Sequence, residues 1–431
     1  MEFEIRNINK LENANISLDG LTVIVGENSS GKSTIGRLLY STIQAVKNSE
    51  LKNNEAGYKI LMKHIDSLYV HISSLRKDNS VLLEDLFPLP IESFFLKLKE
   101  AKNPTEYLDY CKNVLFNMEL SPREKALIFN DFQSISITLG NTDRDWAIAT
   151  EIQYLIESEF ENRINSTEKS AFFSLSDKDN VISYYMKDNS LDRFSVSGDS
   201  FIQDATYIES PLYLHVLDSL LMSAPYREQL YTGNLRPMIP YHILDFALKM
   251  NSLRYITKDL SGKKNENEID INSIINGYFE FDKDLNKLIF MQDNKKLEPI
   301  NVASGIKTFG IIEMLLDADY INENKMLIWD EPENHLHPEW QIKFASLLVS
   351  LSKRGIPILI TTHSPYFLQA IRYYSSMFGI ENFVKYYSPV IGEDNFSTFE
   401  NVTDNLNKVF SRLANPLNEI MNVDEVRDSK K

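Results

Sequence analysis

This sequence of 431 residues has almost no cysteine, no long apolar run and no excess of positive charge. Cys111 is the single cysteine, which excludes an internal disulfide framework and a cysteine-based zinc site. No stretch approaches the roughly 18 consecutive apolar residues that indicate a membrane-spanning helix. The first residues, Met1 to Arg6, alternate charged and apolar side chains as a half-buried strand does, unlike a signal peptide. We therefore expect a cytoplasmic protein that does not contact the membrane.

The formal net charge is −16, from 61 acidic and 45 basic residues. Such a surface repels nucleic acid as a whole, and the sequence has no basic cluster beyond the terminal Lys430 and Lys431. Nucleic acid, if it is a ligand, would need a local basic groove or a partner protein, and we favour the partner. The length suits two or three domains, and 43% hydrophobic residues are enough to form a core.

A glycine-rich loop, Gly26 to Ser33, follows a short apolar run and precedes a predicted helix. It matches the phosphate-binding pattern G-x-x-x-x-G-K-S, in which backbone N–H groups surround phosphate oxygens at a helix N-terminus. Lys32 is predicted to reach the β- and γ-phosphates, and Ser33 to offer its hydroxyl to Mg²⁺. A chance glycine-rich turn is the alternative, which the strand and helix on either side disfavour. The candidate nucleotide-binding residues are Gly26, Asn28, Ser29, Ser30, Gly31, Lys32, Ser33 and Thr34.

Two adjacent acids, Asp330 and Glu331, end an apolar run that begins at Lys325. Carboxylates at the end of a buried strand, beside a phosphate loop, can divide two tasks between them. Asp330 is predicted to hold Mg²⁺ through water, and Glu331 to act as the general base for the attacking water. The alternative is an ordinary strand end with solvated acids, which the phosphate loop in the same chain disfavours.

Two weaker motifs flank these acids in the sequence. Ser304 and Gly305 precede an apolar helix, where free N–H groups and a hydroxyl can bind an anion; a plain helix N-cap is the alternative. His363 lies just past a predicted strand that ends at Thr361, on the edge where α/β sheets bind ligands. It is predicted to contact the γ-phosphate or the attacking water; a loop histidine without such a role is the alternative.

The pattern of elements predicts an α/β protein whose nucleotide-binding core is split in the sequence. Residues 1–46 and 275–431 hold all of these motifs and are assigned to the core. Residues 47–274 are assigned to an inserted lobe, which is mostly helical by pattern and is interrupted at prolines such as Pro104 and Pro122. Strands with period-two alternation near 169–210 are predicted to form a small antiparallel sheet within this lobe.

In this order, the motifs resemble those of the ABC-type ATPase heads of the RecF, SMC and OLD group: Walker A, signature, Walker B and switch histidine. The wording of Asp330 to Pro338 and Thr361 to Pro365 is most similar to the AAA15/AAA21 branch of bacterial ATPases, which supplies subunits to antiphage systems such as Septu and PARIS. The resemblance covers residues 1–46 and about 275–370. It implies an ABC-type P-loop ATPase head, with a mixed β layer and a parallel sheet flanked by helices, that uses ATP and Mg²⁺.

The resemblance also implies homodimers or higher homo-oligomers, in which Ser304 and Gly305 of one subunit complete the ATP site of the other. The Ile306 and Lys307 that follow depart from the transporter signature, which puts the strength of this contact in doubt. The family further implies a loop glutamine that touches Mg²⁺. Gln203, just before the strand Ala205 to Ile208, is our candidate for it, and a plain loop glutamine is the alternative.

Two functions are consistent with these observations. The first is a cytoplasmic ATPase that senses a phage or nucleic-acid cue and controls a separately encoded nuclease or toxin. It is favoured because too few residues follow Ser364 for the nuclease that OLD proteins carry there. The second is a RecF- or SMC-like ATPase in DNA repair or chromosome maintenance. Proline breaks argue against a long coiled-coil arm, and the net charge argues against a DNA clamp.

Overall fold

The computed structural model describes residues 1–415 except for 53–55, 73–74, 76–82, 84–85, 89–90, 102–103, 119, 141–143, 162, 165–169, 188, 199–201, 223–238, 256–269, 283 and 286. The described residues fall into two compact units. The first contains Met1–Val46 together with residues from 152–222 and 239–415, and the second contains residues from Lys47–Glu151. Among the helices of this described part, none has the length and apolar character needed to cross a membrane.

The strands are short. Along most of them, buried and more exposed residues alternate or every residue is buried. In chain order they are β1 (Glu2–Ile8), β2 (Leu11–Ser17), β3 (Leu21–Val25), β4 (Ala171–Asp177), β5 (Asn180–Lys187), β6 (Ser190–Ser197), β7 (Asp204–Ile208), β8 (Tyr278–Asp282), β9 (Lys287–Gln292), β10 (Lys295–Leu297), β11 (Lys325–Asp330), β12 (Ile358–Thr362), β13 (Val384–Ile391) and β14 (Ser397–Asn401).

Helices connect these strands and also make up most of the second unit. They are α1 (Lys32–Lys52), α2 (Ala56–Ile72), α3 (Ile91–Glu100), α4 (Pro104–Phe116), α5 (Pro122–Gly140), α6 (Arg144–Phe160), α7 (Tyr241–Ser252), α8 (Ile271–Ile275), α9 (Ser304–Asp317), α10 (Pro338–Lys353) and α11 (Pro365–Phe378). Single turns of 3-10 helix lie at Pro211–His215, Leu253–Tyr255, Pro299–Asn301, Glu381–Phe383 and Thr403–Asn405.

One large mixed sheet organises the first unit. Within the described residues its strand order is β6-β5-β4-β1-β2-β14-β13-β3-β12-β11-β7, and β8 to β10 form a separate small sheet. The strands from β6 to β2 pair antiparallel, whereas β13, β3, β12, β11 and β7 pair in parallel. The predicted α/β class, with a mixed β layer joined to a parallel sheet, is confirmed.

The parallel part of the sheet is covered by helices, as its sequence requires. Every residue of β3 is buried, and its run of Leu, Thr, Val, Ile and Val is typical of a strand with both faces covered. Trp329 of β11 packs on Phe344 of α10 with ring centroids 5.3 Å apart, and Phe309 of α9 packs on Phe344 at 5.2 Å. Burying each such ring contributes about 1.5–3 kcal/mol, so this core holds the carboxyl ends of the strands rigidly.

The second unit has an apolar core of its own, built from α2 to α5. Prolines begin α4 and α5, where the missing N–H would have had no partner in the helix. Phe87 and Phe94 are fully buried with ring centroids 5.1 Å apart. Cys111 is also buried here, and burial raises the pKa of its thiol to about 11, so we expect it to be unreactive.

The structure corrects the assignment of residues 169–210 to the inserted lobe. The strands β4, β5 and β6 exist as predicted, but they extend the large sheet, because β4 pairs antiparallel with β1 along Glu2 to Arg6. A separate sheet would have left the edge of β1 without backbone partners. β7 likewise joins the parallel sheet beside β11. Among the residues that the structure describes, the inserted unit therefore comprises residues from Lys47 to Glu151.

Candidate functional site

The phosphate loop lies at the carboxyl end of β3, as the sequence predicts, and α1 begins at Lys32. The N–H of Gly26 donates to the carbonyl of Thr362 at 3.1 Å, which ties the loop to β12. Gly31 has φ of 97°, which favours glycine, and a Cβ on Gly26 would lie 2.8 Å from Pro389. Both glycines are therefore required by the backbone path.

Lys32 is only 4% exposed, and its ammonium group lies inside the loop. Its Nζ donates to the carbonyls of Gly26 at 2.8 Å and Glu27 at 2.9 Å, and lies 3.3 Å from Oε1 of Glu331. The hydroxyl of Ser30 is buried and has no hydrogen-bond partner among the described residues. These are donors that phosphate oxygens can engage.

Asp330 ends β11, which pairs in parallel with β12 and β7. Its side chain is 7% exposed and accepts hydrogen bonds from the hydroxyl of Thr361 and, at 3.3 Å, from the hydroxyl of Tyr207. Both neighbouring strands therefore orient this carboxylate. One short carboxylate with fixed geometry is what a Mg²⁺ site uses, since this ion keeps most of its ligands as water and phosphate.

Glu331 takes a left-handed backbone conformation, with φ of 48°. Its N–H donates to the carbonyl and the hydroxyl of Thr361, at 3.2 and 3.0 Å, which holds this uncommon conformation in place. Burial alone would raise the pKa of Glu331, but the hydrogen bond from Asn334 and the charges of His363 and Lys32 outweigh burial and lower it. The side chain is therefore a carboxylate, able to accept a proton.

His363 follows β12 directly and lies next to Glu331. Its Nδ1 is 3.1 Å from Oε1 of Glu331, although the angle is not that of a hydrogen bond. The imidazole is 40% exposed, so a ligand can reach it. Oε1 of Glu331 is thus close to both Lys32 and His363, two groups that the sequence separates by most of its length.

Lys32, Asp330 and Glu331 line one cleft of about 550 Å³, a volume in the range of small-molecule sites, and His363 lies next to Glu331 without lining it. Most of the predicted nucleotide-binding residues and both acids line it. The lining residues are Asn9, Lys10, Asn28, Ser29, Ser30, Gly31, Lys32, Ser33, Thr34, Glu209, Asp330, Glu331 and Asn334.

Gln203 is not in this cleft, and its proposed contact with Mg²⁺ is contradicted by the strand register. β7 runs parallel to β11, with Asp204 beside Lys325 and Ile208 beside Trp329. Gln203 therefore lies at the opposite end of the strand from Asp330, where its N–H donates to the carbonyl of Asn324.

Glu209 is the residue that reaches the cleft from β7, and the sequence reasoning missed it. The carboxylate accepts from Arg37 at 2.8 Å, from Tyr213 at 2.8 Å and from the ring of His242 at 3.2 Å. The hydrogen bond from His242, together with Arg37 and Tyr213, overcomes burial and lowers the pKa of Glu209 to about 2. Its position just after a β-rich run, like that of Asp330, was the available signal.

We expect Glu209→Ala to destabilise the folded protein by about 1–3 kcal/mol, because Arg37 and the buried His242 lose a charged acceptor. Glu209→Gln keeps an acceptor oxygen and should lose less. Urea unfolding of both variants, beside the exposed control Glu381→Ala, measures this order. Equal midpoints for Glu209→Ala and Glu381→Ala would show that the network around Glu209 adds no stability.

Ser304 and Gly305 begin α9, as predicted, but they do not line the cleft of their own chain. The Ser304 hydroxyl donates to the carbonyl of His335 at 3.4 Å, and a Cβ on Gly305 would contact Trp340 at 3.0 Å. They therefore lie near the segment that follows Glu331, without forming part of the site around Lys32.

The residues of the cleft fit a nucleotide with Mg²⁺. Among the described residues, no group of three His, Cys, Asp or Glu side chains could hold a metal ion by itself. Ser33 and Asp330 nevertheless offer two oxygen ligands of the kind Mg²⁺ takes when phosphates and water supply the others. The fit therefore depends on the phosphates being present.

Comparison with known proteins agrees with this geometry. The sequence profile of the AAA ATPase domain family matches residues 1–368, most of the chain. The chain belongs to this family. The prediction of an ATP-binding P-loop ATPase is confirmed at the level of the family.

One curated protein and several solved structures are also similar to this chain, at lower levels of similarity. Protein ea59 of Escherichia phage lambda is 30% identical over 126 residues, and the match spans 26% of this chain and 23% of that protein. The SMC head domain from Thermotoga maritima is 9% identical with a TM-score of 0.38, covering 93% of this chain and 98% of that one. The recombination mediator protein RecF is 11% identical with a TM-score of 0.35, covering 92% and 97%. These structural likenesses are too distant to assign a function to this AAA ATPase domain.

Proposed function

We propose that this AAA ATPase domain hydrolyses ATP in the cleft between the phosphate loop and the ends of β11 and β12. The observation that carries the proposal is the convergence on Glu331, whose Oε1 lies 3.3 Å from Lys32 and 3.1 Å from His363. A cation and an imidazole beside the same carboxylate oxygen suit a base that must accept a proton beside a triphosphate.

In the proposed reaction, each of these residues has a separate role. Lys32 exchanges its carbonyl partners for β- and γ-phosphate oxygens and neutralises their charge. Ser33 and Asp330 would hold Mg²⁺, which adds positive charge at the phosphates when bound. Glu331 takes the proton of a water whose oxygen bonds to the γ-phosphorus, while the bond from that phosphorus to the ADP oxygen breaks. His363, beside Glu331, orients this water or contacts the γ-phosphate.

We assign the protein to ABC-type ATPases that work as homodimers or higher homo-oligomers. Ser304 and Gly305 begin a helix outside their own cleft, and the first N–H groups of a helix lack intrahelical partners. These two observations support a site in which the Ser304 end of one subunit completes the nucleotide site of a second subunit. ATP binding would then close the dimer, and hydrolysis would release it.

Mixed dimers test the shared site. We expect Lys32→Ala and Ser304→Arg proteins to be inactive separately and to regain hydrolysis when mixed, because the mixed dimer contains one site with both its loop and its Ser304 unaltered. Phosphate release is measured across a titration of one variant into the other. If the mixture stays at the level of its components while native protein remains active, each site is complete within one chain.

The cellular role that we propose is control of a separately encoded nuclease or toxin in bacterial antiphage defence. This role is supported by the amino-acid sequences of two segments, Asp330 to Pro338 and Thr361 to Pro365, which resemble those of defence ATPases. The net charge of −16 is consistent with any contact to nucleic acid being made through a partner.

Purification of Glu331→Gln protein, co-expressed with its genomic neighbours in the presence of ATP, tests this role. Recovery of a stoichiometric nuclease or toxin is the expected result. Recovery of a bare dimer that carries DNA would instead support DNA repair or chromosome maintenance. The matched control is Lys32→Ala, which should recover neither, because ATP binding is required to close the assembly.

A further inference from the structure

Glu333 is a buried acid that the catalytic assignments above leave without a role. It lies two residues after Glu331, is only 3% exposed and does not line the cleft. Because its side chain is almost fully buried, unlike that of His363, Glu333 offers no surface for a nucleotide to contact. Its carboxyl group instead faces the segment that carries His363.

A single oxygen of Glu333 holds three consecutive residues. Oε1 accepts from the hydroxyl of Thr362, from the N–H of His363 at 3.1 Å and from the N–H of Ser364 at 3.3 Å. These residues form the turn from β12 into α11. The turn is thereby tied to the same chain segment that carries Glu331.

The second oxygen, Oε2, is buried and has no hydrogen-bond partner among the described residues. A buried polar atom without a partner costs about 1–3 kcal/mol. Burial also raises the pKa of Glu333, against the hydrogen bonds from Thr362 and His363 that lower it. The surroundings of Glu333 thus disfavour its charged form, and what its side chain contributes to the structure is the set of hydrogen bonds that Oε1 accepts.

These contacts determine where the imidazole of His363 lies. Nδ1 is 3.1 Å from Oε1 of Glu331 and 3.9 Å from Oε1 of Glu333, so both acids face the same ring nitrogen. Other contacts hold the neighbouring residues: Ser364 donates to Gln341 at 2.8 Å. Among the described residues, the N–H of His363 itself is held by Glu333.

We propose that Glu333 is a positioning residue for ATP hydrolysis: it fixes the backbone of Thr362, His363 and Ser364 so that the imidazole of His363 stays beside Glu331. The proposal rests on the hydrolysis proposed above. Glu333 takes no part in proton transfer, and it acts through His363.

Three variants test the proposal in the full-length chain. Glu333→Ala should lower kcat by about tenfold or more while the affinity for ATP stays within about threefold, because the cleft residues are untouched. Glu333→Gln keeps the accepting oxygen and should retain kcat within about threefold. Glu381→Ala, an exposed glutamate in a distant turn, should behave as native protein.

A double-mutant cycle that combines Glu333→Ala with His363→Ala distinguishes a positioning role of Glu333 from a general effect on protein stability. If Glu333 acts through His363, Glu333→Ala should reduce kcat by less than about twofold once His363 has been replaced. Full additivity of the two losses would overturn the proposal. So would native kcat in Glu333→Ala, or a kcat in Glu333→Gln as low as in Glu333→Ala. If Glu333→Ala does not fold, Thr362→Val removes one donor to the same oxygen and should lower kcat in the native background but not beside His363→Ala.

The same assays separate this proposal from the one on which it depends. Native protein that does not hydrolyse ATP at all would refute the proposed function. Native protein that hydrolyses ATP with no dependence on Glu333 would refute only the positioning role.

Discussion

Glu331→Gln protein is expected to bind ATP and to hydrolyse it about 10²–10⁴ times more slowly than native protein. The amide has the shape of the carboxylate but cannot take the proton of the attacking water. Its oxygen can still accept the hydrogen bond that Asn334 donates at 3.0 Å, so the loop should keep its conformation. The loss should therefore appear in kcat.

The affinity for ATP should be equal to or higher than that of native protein. Glu331 lies 3.3 Å from Lys32, and its negative charge opposes a triphosphate in the same cleft. Single-turnover hydrolysis and titration with a fluorescent ATP analogue measure the two quantities separately. Glu381→Gln is the matched control, because it makes the same chemical change at an exposed site.

Hydrolysis in Glu331→Gln within a few-fold of native protein would show that another group is the base. Glu209 would then be the next carboxylate to test, because it lines the same cleft and is ionised at neutral pH. Loss of ATP binding in Glu331→Gln would point instead to a role in shaping the loop around Thr361.

The parts of the site that the sequence predicted are those whose chemistry depends on local spacing. The loop from Gly26 to Ser33 requires glycines at two set positions, and a strand that ends in Asp330 and Glu331 needs no distant contact to be recognised. Their meeting in one cleft could be expected from a rule of α/β sheets, since carboxyl ends of parallel strands lie on one edge.

The mistake at Gln203 arose from strand direction. A strand of five residues separates Gln203 from Glu209, and the sequence alone does not say which end faces the phosphate loop. The parallel register of β7 with β11 decides the question. The residue after the strand, and not the residue before it, then reaches the cleft.

The assignment of residues 169–210 to the inserted lobe had a similar cause. The period-two pattern from Ala171 to Ser197 correctly predicted strands. Their pairing partners, however, cannot be predicted from local sequence, because β4 pairs with β1, which lies far earlier in the chain. The contact between Glu333 and His363 could not be predicted from the sequence either. Their contact depends on how the turn after β12 approaches the turn after β11.

Lys32→Ala protein is expected to lose ATP affinity by about 100-fold or more, since charge-assisted hydrogen bonds contribute about 1.5–3 kcal/mol each and Lys32 can make more than one to the phosphates. The change also leaves Glu331 without the cation 3.3 Å away, so the carboxylate repels the incoming triphosphate more strongly. Isothermal titration with ATP and Mg²⁺ measures the loss.

The two contributions can be separated with the double variant Lys32→Ala and Glu331→Gln. If repulsion by Glu331 accounts for part of the loss, the double variant should bind ATP more tightly than Lys32→Ala alone, because the uncompensated charge is gone. Lys32→Arg keeps the positive charge, but its larger head group does not fit between the carbonyls of Gly26 and Glu27, which Nζ contacts at 2.8 and 2.9 Å. If Lys32→Arg binds ATP with native affinity, the positive charge alone is sufficient to hold the nucleotide. If Lys32→Ala binds ATP with native affinity, the phosphate loop is not part of the ATP-binding site.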